Sequence, residues 1–412
     1  MNPRRRMVLA RLGVGALTGL GGVVGGCALP RVWNPCHPRL PDALAAHPLV
    51  SAAWEGIDPG RVRDCHVHIA GIGDSGSGIT LAAEMESLWH PSQYVQRLFY
   101  LNAGCAHDAP GRVDQSYVER MLVLLKGMRP GVKLMLFAFD QACSEAGEPL
   151  PERSAFHVPN DYARSLARAH PRQFEWVASI HPYRRDGVAL LERAHAEGAR
   201  AVKWLPPAMG IDPAAERCQP FYRALERLDL PLITHGGEEK AVHGVGRPEF
   251  GNPLRLRRAL DAGVRIVVAH CASIGEDRDS DNGDRRVASF TLFARMMDHP
   301  DHRGLLFGDL SAITLRNRDP AVVRTMIQRE EWHDRLLNGS DYPLPGVLPL
   351  IVPDRFVRAG LLDAGAVPLL RELQAYNPLL FDFVLKRHLV VQGRRLPARV
   401  FETRDFFARS RT

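Results

Sequence analysis

Asp64-Cys65-His66-Val67-His68 closes an apolar, strand-like run that begins near residue 62. Side chains two apart on a strand share a face, with about 7 Å between Cα atoms, so His66 and His68 can both point inward and share one cation. Asp64 reads as part of the same face, placed either to orient His66 or simply to end a helix-facing loop. Four further residues end later apolar runs: Lys203 in Ala201-Val202-Lys203-Trp204, His235 in Leu232-Ile233-Thr234-His235, His270 in Val267-Val268-Ala269-His270, and Asp341 in Asn338-Gly339-Ser340-Asp341. A buried imidazole is costly without a partner. A parallel barrel supplies partners, because it gathers the C-terminal ends of all its strands onto one mouth.

The runs that frame these residues fall near 62–69, 132–139, 174–180, 199–205, 231–235, 264–270, 304–310 and 335–339. Helix-period segments lie between most of them, including 161–170, 187–197, 214–228, 253–262, 285–298 and 321–329. Eight strands each followed by a helix is the pattern of an α/β fold of the (β/α)8 TIM-barrel kind, and about 250 residues is its usual span. The longest excursions, 70–115 and 140–158, follow the first two strands and are expected to lie over the mouth.

The chain has 412 residues, 45% hydrophobic and 24% charged, which is ordinary globular material and excludes a coiled coil or a disordered chain. Much of the +7 formal charge comes from Arg4, Arg5, Arg6 and Arg11, which stand without an acid before Cys27, so the balance does not call for nucleic acid. Those arginines precede an apolar, Gly-rich run, 12–24, that ends Val24-Gly25-Gly26-Cys27. This reads as a signal peptide over 1–26 with a lipobox, Cys27 becoming the lipidated N-terminus on the periplasmic side of a bacterial membrane. Arg5-Arg6 also suits the twin-arginine route. Residues 27–59 read as a tether and N-terminal cap, and 60–412 as the barrel with C-terminal helices.

Several motifs compete for attention. Gly71-Ile72-Gly73-Asp74-Ser75-Gly76 formally satisfies a dinucleotide fingerprint, but no helix opens directly after it and the preceding strand carries two inward histidines. Its Gly73-Asp74-Ser75-Gly76 portion lacks the all-β surroundings of a serine protease. His107, His181 and His243 read as residues of mouth loops, His243 being the one placed to touch substrate. Arg184 and Arg316 are, with Lys203, the basic residues available to an anionic substrate. Among seven cysteines, Cys65 and Cys271 flank the strand-end histidines and are expected to face the helices as small hydrophobes, while Cys105 and Cys143 sit on the two long loops as a candidate disulfide.

From about Arg61 to the end of the barrel, the ordered first-strand His pair, fourth-strand Lys, fifth- and sixth-strand His and eighth-strand Asp resemble the amidohydrolase superfamily. The resemblance is narrower to its amidohydrolase-related branch, which also contains aromatic-acid decarboxylases. Ala178-Ser179-Ile180-His181-Pro182, Gly198-Ala199-Arg200-Ala201-Val202-Lys203 and Tyr376-Asn377-Pro378-Leu379-Leu380-Phe381 are similar to that branch as well. The resemblance implies a divalent metal, zinc, held by His66, His68 and Asp341. In a binuclear form, a carbamylated Lys203 bridges to a second ion on His235 and His270. In a mononuclear form, His235 joins the first cluster, His270 contacts water or the substrate carbonyl, and Lys203 stays cationic.

The chemistry expected from such a site is hydrolysis of an ester, lactone or amide of a small molecule, with the metal generating hydroxide from bound water near neutral pH. Asp341 then acts as the base, and His270 and Lys203 polarise the carbonyl. The alternative is non-hydrolytic decarboxylation of an aromatic or unsaturated acid at the same metal.

Overall fold

The computed structural model describes residues 33–106, 110–242 and 244–408. The eight expected runs are all strands: β1 (Arg63–His68), β2 (Lys133–Phe137), β3 (Phe174–Val177), β4 (Val202–Trp204), β5 (Leu232–His235), β6 (Ile266–Ala269), β7 (Leu306–Asp309) and β8 (Leu336–Leu337). Parallel ladders join β1 to β3 and β4 to β8. A bridge between Ala178 and Val202 links the two groups, and one between Val67 and Tyr342 returns to β1, so the cylinder closes. Strands such as Ile266–Ala269 are apolar at every position because a parallel sheet is covered on both faces.

Helices line the outside. The excursion after β1 carries α1 (Pro91–Ala103) and α2 (Val113–Lys126); α3 (Asn160–Ala169), α4 (Gly187–Ala196), α5 (Gln219–Arg227), α6 (Arg257–Asp261), α7 (Ser289–Asp298) and α8 (Pro320–Gln328) follow β2 to β7 in turn. The helix α5 shows the local logic: proline in its first turn needs no amide donor there, and Phe221, Tyr222, Ala224 and Leu225 form its buried stripe. Two C-terminal helices, α9 (Val367–Tyr376) and α10 (Pro378–His388), complete the wall. The α10 helix starts with the Asn377 side chain accepting from the Leu380 amide, and it packs under the N-terminal segment, where Trp54 stacks on Phe383 at 4.1 Å.

Inside the cylinder, Met135, Phe137, Val177, Ile233, Val267 and Phe307 form an apolar plug, joined by Phe407 from the chain's end. Below it Glu175 receives Arg63 at 3.5 Å, Arg200 at 3.4 Å and Lys133 at 3.6 Å. The N-terminal end of the barrel is thereby filled, leaving the C-terminal end for a site. Over that end the two long loops meet, Thr80–Leu81 pairing antiparallel with Phe156–His157.

Three expectations need correction. A bulge between Asp64 and Val67 breaks the regular alternation, so Asp64 registers with Leu134 on the helix-facing side rather than sharing the face of His68. Its carboxylate accepts from the Ser340 amide at 2.7 Å and the His66 amide at 3.3 Å, fixing backbone rather than an imidazole. The same bulge turns Cys65 into the interior plug, whereas Cys271 does lie in the helix-facing core. Finally, Cys105 is bonded to Cys36 and not to Cys143, which is a buried free thiol. The N-terminal segment crosses the end of α1, so the partner of Cys105 comes from residues remote in sequence.

Candidate metal centre

The strand ends converge. His66 Nε2 lies 3.2 Å from His68 Nε2 and 3.3 Å from Asp341 Oδ1, and His68 Nε2 lies 3.1 Å from the same oxygen. The other Asp341 oxygen faces His270 Nε2 at 3.9 Å, and Lys203 Nζ stands 3.4 Å from His66 Nε2. His66, His270 and Asp341 are buried, with donor atoms all within 4.8 Å of one another. His235 lines the same cavity but is turned elsewhere: Nδ1 meets Glu239 Oε2 at 3.3 Å and Nε2 meets the Glu238 carbonyl at 3.2 Å. The third imidazole brought to Asp341 is thus His270 rather than His235.

Backbone geometry aims these groups. Asp341 sits at φ 62°, and His270, Cys271 and Ala272 are successive left-handed residues at 56°, 51° and 50°. Such conformations cost on the order of 1–3 kcal/mol each, and they persist where the surroundings over-determine them. At His270 the Asp309 carboxylate does so, accepting from its amide at 3.0 Å. At Asp341 the amide donates to the His66 carbonyl at 2.9 Å. Gly339 lets β8 press against β1, since a Cβ there would lie 2.6 Å from the His66 Cβ.

Asp309, at the end of β7, is the residue that sequence reasoning passed over. Its Oδ2 lies 2.9 Å from His66 Nδ1, and its Oδ1 accepts from the Ser311 amide at 2.9 Å. The Ser311 hydroxyl also bonds Asp309 and stands 2.8 Å from His270 Nδ1. With Nδ1–H engaged, each ring presents a bare Nε2 lone pair to the cavity. The available signal was position alone: an acid ending the seventh apolar run, as Asp341 ends the eighth. Glu239 and Arg318 were missed too. The Arg318 guanidinium is buried, donates to Ser273 Oγ at 2.6 Å and leaves its Nε without a partner. Burial pushes it down to about 10, against the pull of Asp341, Glu239 and Asp309. Arg316, the residue singled out from the sequence, is exposed, and Arg184 is committed to Asp186 at 2.9 Å. His243, His107 and Cys27 lie outside the described residues.

Burial, followed by the charge of Lys203, pushes His66 down to about 4, and burial likewise lowers His235 and His270. Neutral imidazoles are the form that binds metal. Burial also lowers Lys203, opposed by Asp309 and Asp341. Asp341 stays ionised despite burial, held well below the usual carboxylate range by His66 and His270. Two or three imidazole nitrogens and a carboxylate oxygen facing one point, with the outer ring nitrogens already hydrogen-bonded, fit a divalent transition metal. The cluster forms the floor of a cavity of about 420 Å³ whose walls include Ile79, Met85, Tyr100, Phe156 and Leu344.

Fold and site together define an α/β barrel whose mouth gathers side chains able to hold a divalent metal. The chain belongs to the Amidohydrolase family (Amidohydro_2), whose family model matches residues 64–364. No curated protein sequence matches it. Among solved structures it is similar to an uncharacterised TIM-barrel protein, Bb4693, from Bordetella bronchiseptica, at 18% identity and TM-score 0.45 over 78% of this chain and 99% of that one. Also similar are a 5-carboxyvanillate decarboxylase from Novosphingobium aromaticivorans with bound manganese, at 12% identity and 0.48 over 86% and 98%, and a protein from Pseudomonas putida described as a 2-pyrone-4,6-dicarboxylic acid hydrolase, at 15% and 0.41 over 78% and 97%.

Proposed function

We propose that this chain is a metal-dependent hydrolase acting on the carbonyl of an ester, lactone or amide of a small molecule. The observation that carries this reading is Asp341: one oxygen faces His66 and His68, and the other is directed toward His270 at the floor of the cavity. One divalent cation, zinc or manganese, would be held by His66, His68 and Asp341 with His270 beside them. When bound it supplies Lewis acidity, lowering the pKa of coordinated water and polarising a carbonyl.

The protein's own groups do the rest. Asp341 accepts the proton of the attacking water through its His270-facing oxygen. Lys203 faces the carbonyl oxygen, where negative charge develops, and His270 offers its bare Nε2 to the attacking water. Asp341 then passes that proton to the leaving group. A carboxylate that takes the proton of water and returns it to the departing fragment favours hydrolysis, which needs a base and then an acid. The engagement of His235 by Glu239 and the Glu238 carbonyl favours one cation over two, and an uncarbamylated Lys203.

The chain is further proposed to be exported and acylated at Cys27. The Cys36–Cys105 disulfide supports an oxidising compartment.

The function is tested by assaying the metal-loaded protein against ester, lactone, amide and hydroxybenzoate panels in ¹⁸O-water. Hydrolysis places one solvent oxygen in the product acid. Carbon dioxide release without solvent oxygen in the product would overturn the reading in favour of decarboxylation. Elemental analysis and intact mass then count metals per chain and reveal any carbamate on Lys203.

A further inference from the structure

Large apolar side chains are exposed at five positions among the described residues, and four of them lie together in the fold: Trp89 at 92%, Leu88 at 74%, and Trp33 and Val95 at 43% each. Leu88 and Trp89 immediately precede α1. Val95 and Phe99 are one turn apart on it, and Phe99 meets Trp33 with ring centroids 6.0 Å apart. Soluble monomers rarely leave such a group uncovered.

The chain enters the domain at this patch. The Cys36–Cys105 disulfide fastens the N-terminal segment to the end of α1. Asn34 reinforces it, its amide donating to Asn102 Oδ1 at 2.8 Å and its side chain to the Gly346 carbonyl at 3.0 Å. Trp33 is therefore held against α1, and Cys27 lies only six residues upstream. Six residues span at most about 20 Å when fully extended. An acyl-bearing Cys27 thus keeps this face within about 20 Å of the lipid.

We infer that the outward face of α1 and the turn before it dock on the surface of a lipid bilayer. The inference rests on acylation of Cys27. Tryptophan and leucine are side chains that settle at the interface between acyl chains and headgroups. Nearby charge is unsuited to an electrostatic mode: Arg97 is paired with Glu86 at 3.3 Å, and Glu84 adds a further acid. The contact is therefore apolar and little affected by salt. Gln93, Arg97 and Tyr100, on the other face of α1, line the catalytic cavity, so the helix stands between membrane and site.

The test uses the full-length acylated protein in vesicles of phosphatidylethanolamine and phosphatidylglycerol, with or without brominated acyl chains. Brominated lipid is expected to quench part of the tryptophan emission, at low and high salt alike, and Trp89→Ser is expected to remove at least about half of the quenched portion. Trp89 is almost wholly exposed, so the thermal midpoint of the variant should match the parent. Absence of quenching, or quenching equal in Trp89→Ser, would overturn the docking surface. Protection of residues 88–95 from carbene labelling in lipid-free dimers would do the same, assigning the patch to a second copy. The mass of the N-terminal peptide separates the two readings: an unmodified Cys27 removes both anchor and docking, whereas an acylated protein failing the quenching test removes docking alone.

Discussion

Asp309 grips both sides of the candidate metal site at once: one carboxylate oxygen lies 2.9 Å from His66 Nδ1, and the other takes the His270 amide at 3.0 Å. Neither contact involves a group that faces the substrate. Asp309→Asn keeps the shape and loses the charge, so the rings should become less firmly oriented. Metal affinity, measured by chelator competition, is expected to fall about 10–100-fold with the near-ultraviolet circular dichroism preserved. Unchanged affinity would show that packing alone orients the rings.

Asp341→Asn should leave the fold intact and lower kcat by about 10²–10⁴-fold, the range for a positioned general base. Metal content must be measured alongside, because the same carboxylate faces His66 and His68. Stripping the protein with a chelator should abolish turnover, and adding zinc or manganese should restore it. Full activity of a metal-free preparation would sink the proposed chemistry.

At Gly339 an added methyl would meet the His66 Cβ at 2.6 Å and its backbone nitrogen at 3.1 Å. Gly339→Ala is therefore expected to cost about 1–3 kcal/mol by overpacking and to weaken metal binding through displacement of His66. Thermal melts with and without metal check both parts.

His181 gives a pH signature remote from the metal ligands. It is buried, with Nε2 3.0 Å from the Met209 carbonyl and Nδ1 accepting from the Tyr183 amide at 3.2 Å, and burial pushes its pKa down to about 4. An unfolded chain takes up this proton near pH 6.5, whereas the folded one refuses it until about 4. The stability is fully present above pH 6.5 and lost as pH falls through that window, by at most on the order of 3 kcal/mol. Denaturant titrations between pH 7 and 4 should show a shallower loss in His181→Gln than in the parent. Parallel slopes would refute the assignment.

Reducing the Cys36–Cys105 disulfide removes a constraint spanning 69 residues of sequence. Loss of about 2–4 kcal/mol of stability is expected, read as a lower urea midpoint in the presence of a thiol-free reductant. A midpoint unmoved by reduction would contradict the pairing.

Much of this architecture was legible because barrel strands announce themselves: each apolar run between polar helices became a strand, and His66, His68, Lys203, His270 and Asp341 meet where their strands end. What escaped depended on features without a period. Alternation assumes an unbroken pleat, and the bulge after Asp64 reverses the sides assigned to Asp64 and Cys65. Asp309 ends a strand and was marked by position alone, whereas Glu239 and Arg318 are single polar residues on turns that only three-dimensional proximity distinguishes from surface residues. Arg316 and Arg318 differ by two positions, yet one meets solvent and the other is buried beside Ser273. The pairing of Cys105 follows from how the N-terminal segment crosses α1, a long-range contact that spacing does not encode.

With Glu175 and its three cations under an apolar plug, the cylinder has a sealed base. The cavity at the other end therefore has a single mouth, by which any molecule that enters must also leave. For the proposed reaction, product and substrate share one site behind one mouth, so inhibition by product is expected to be competitive.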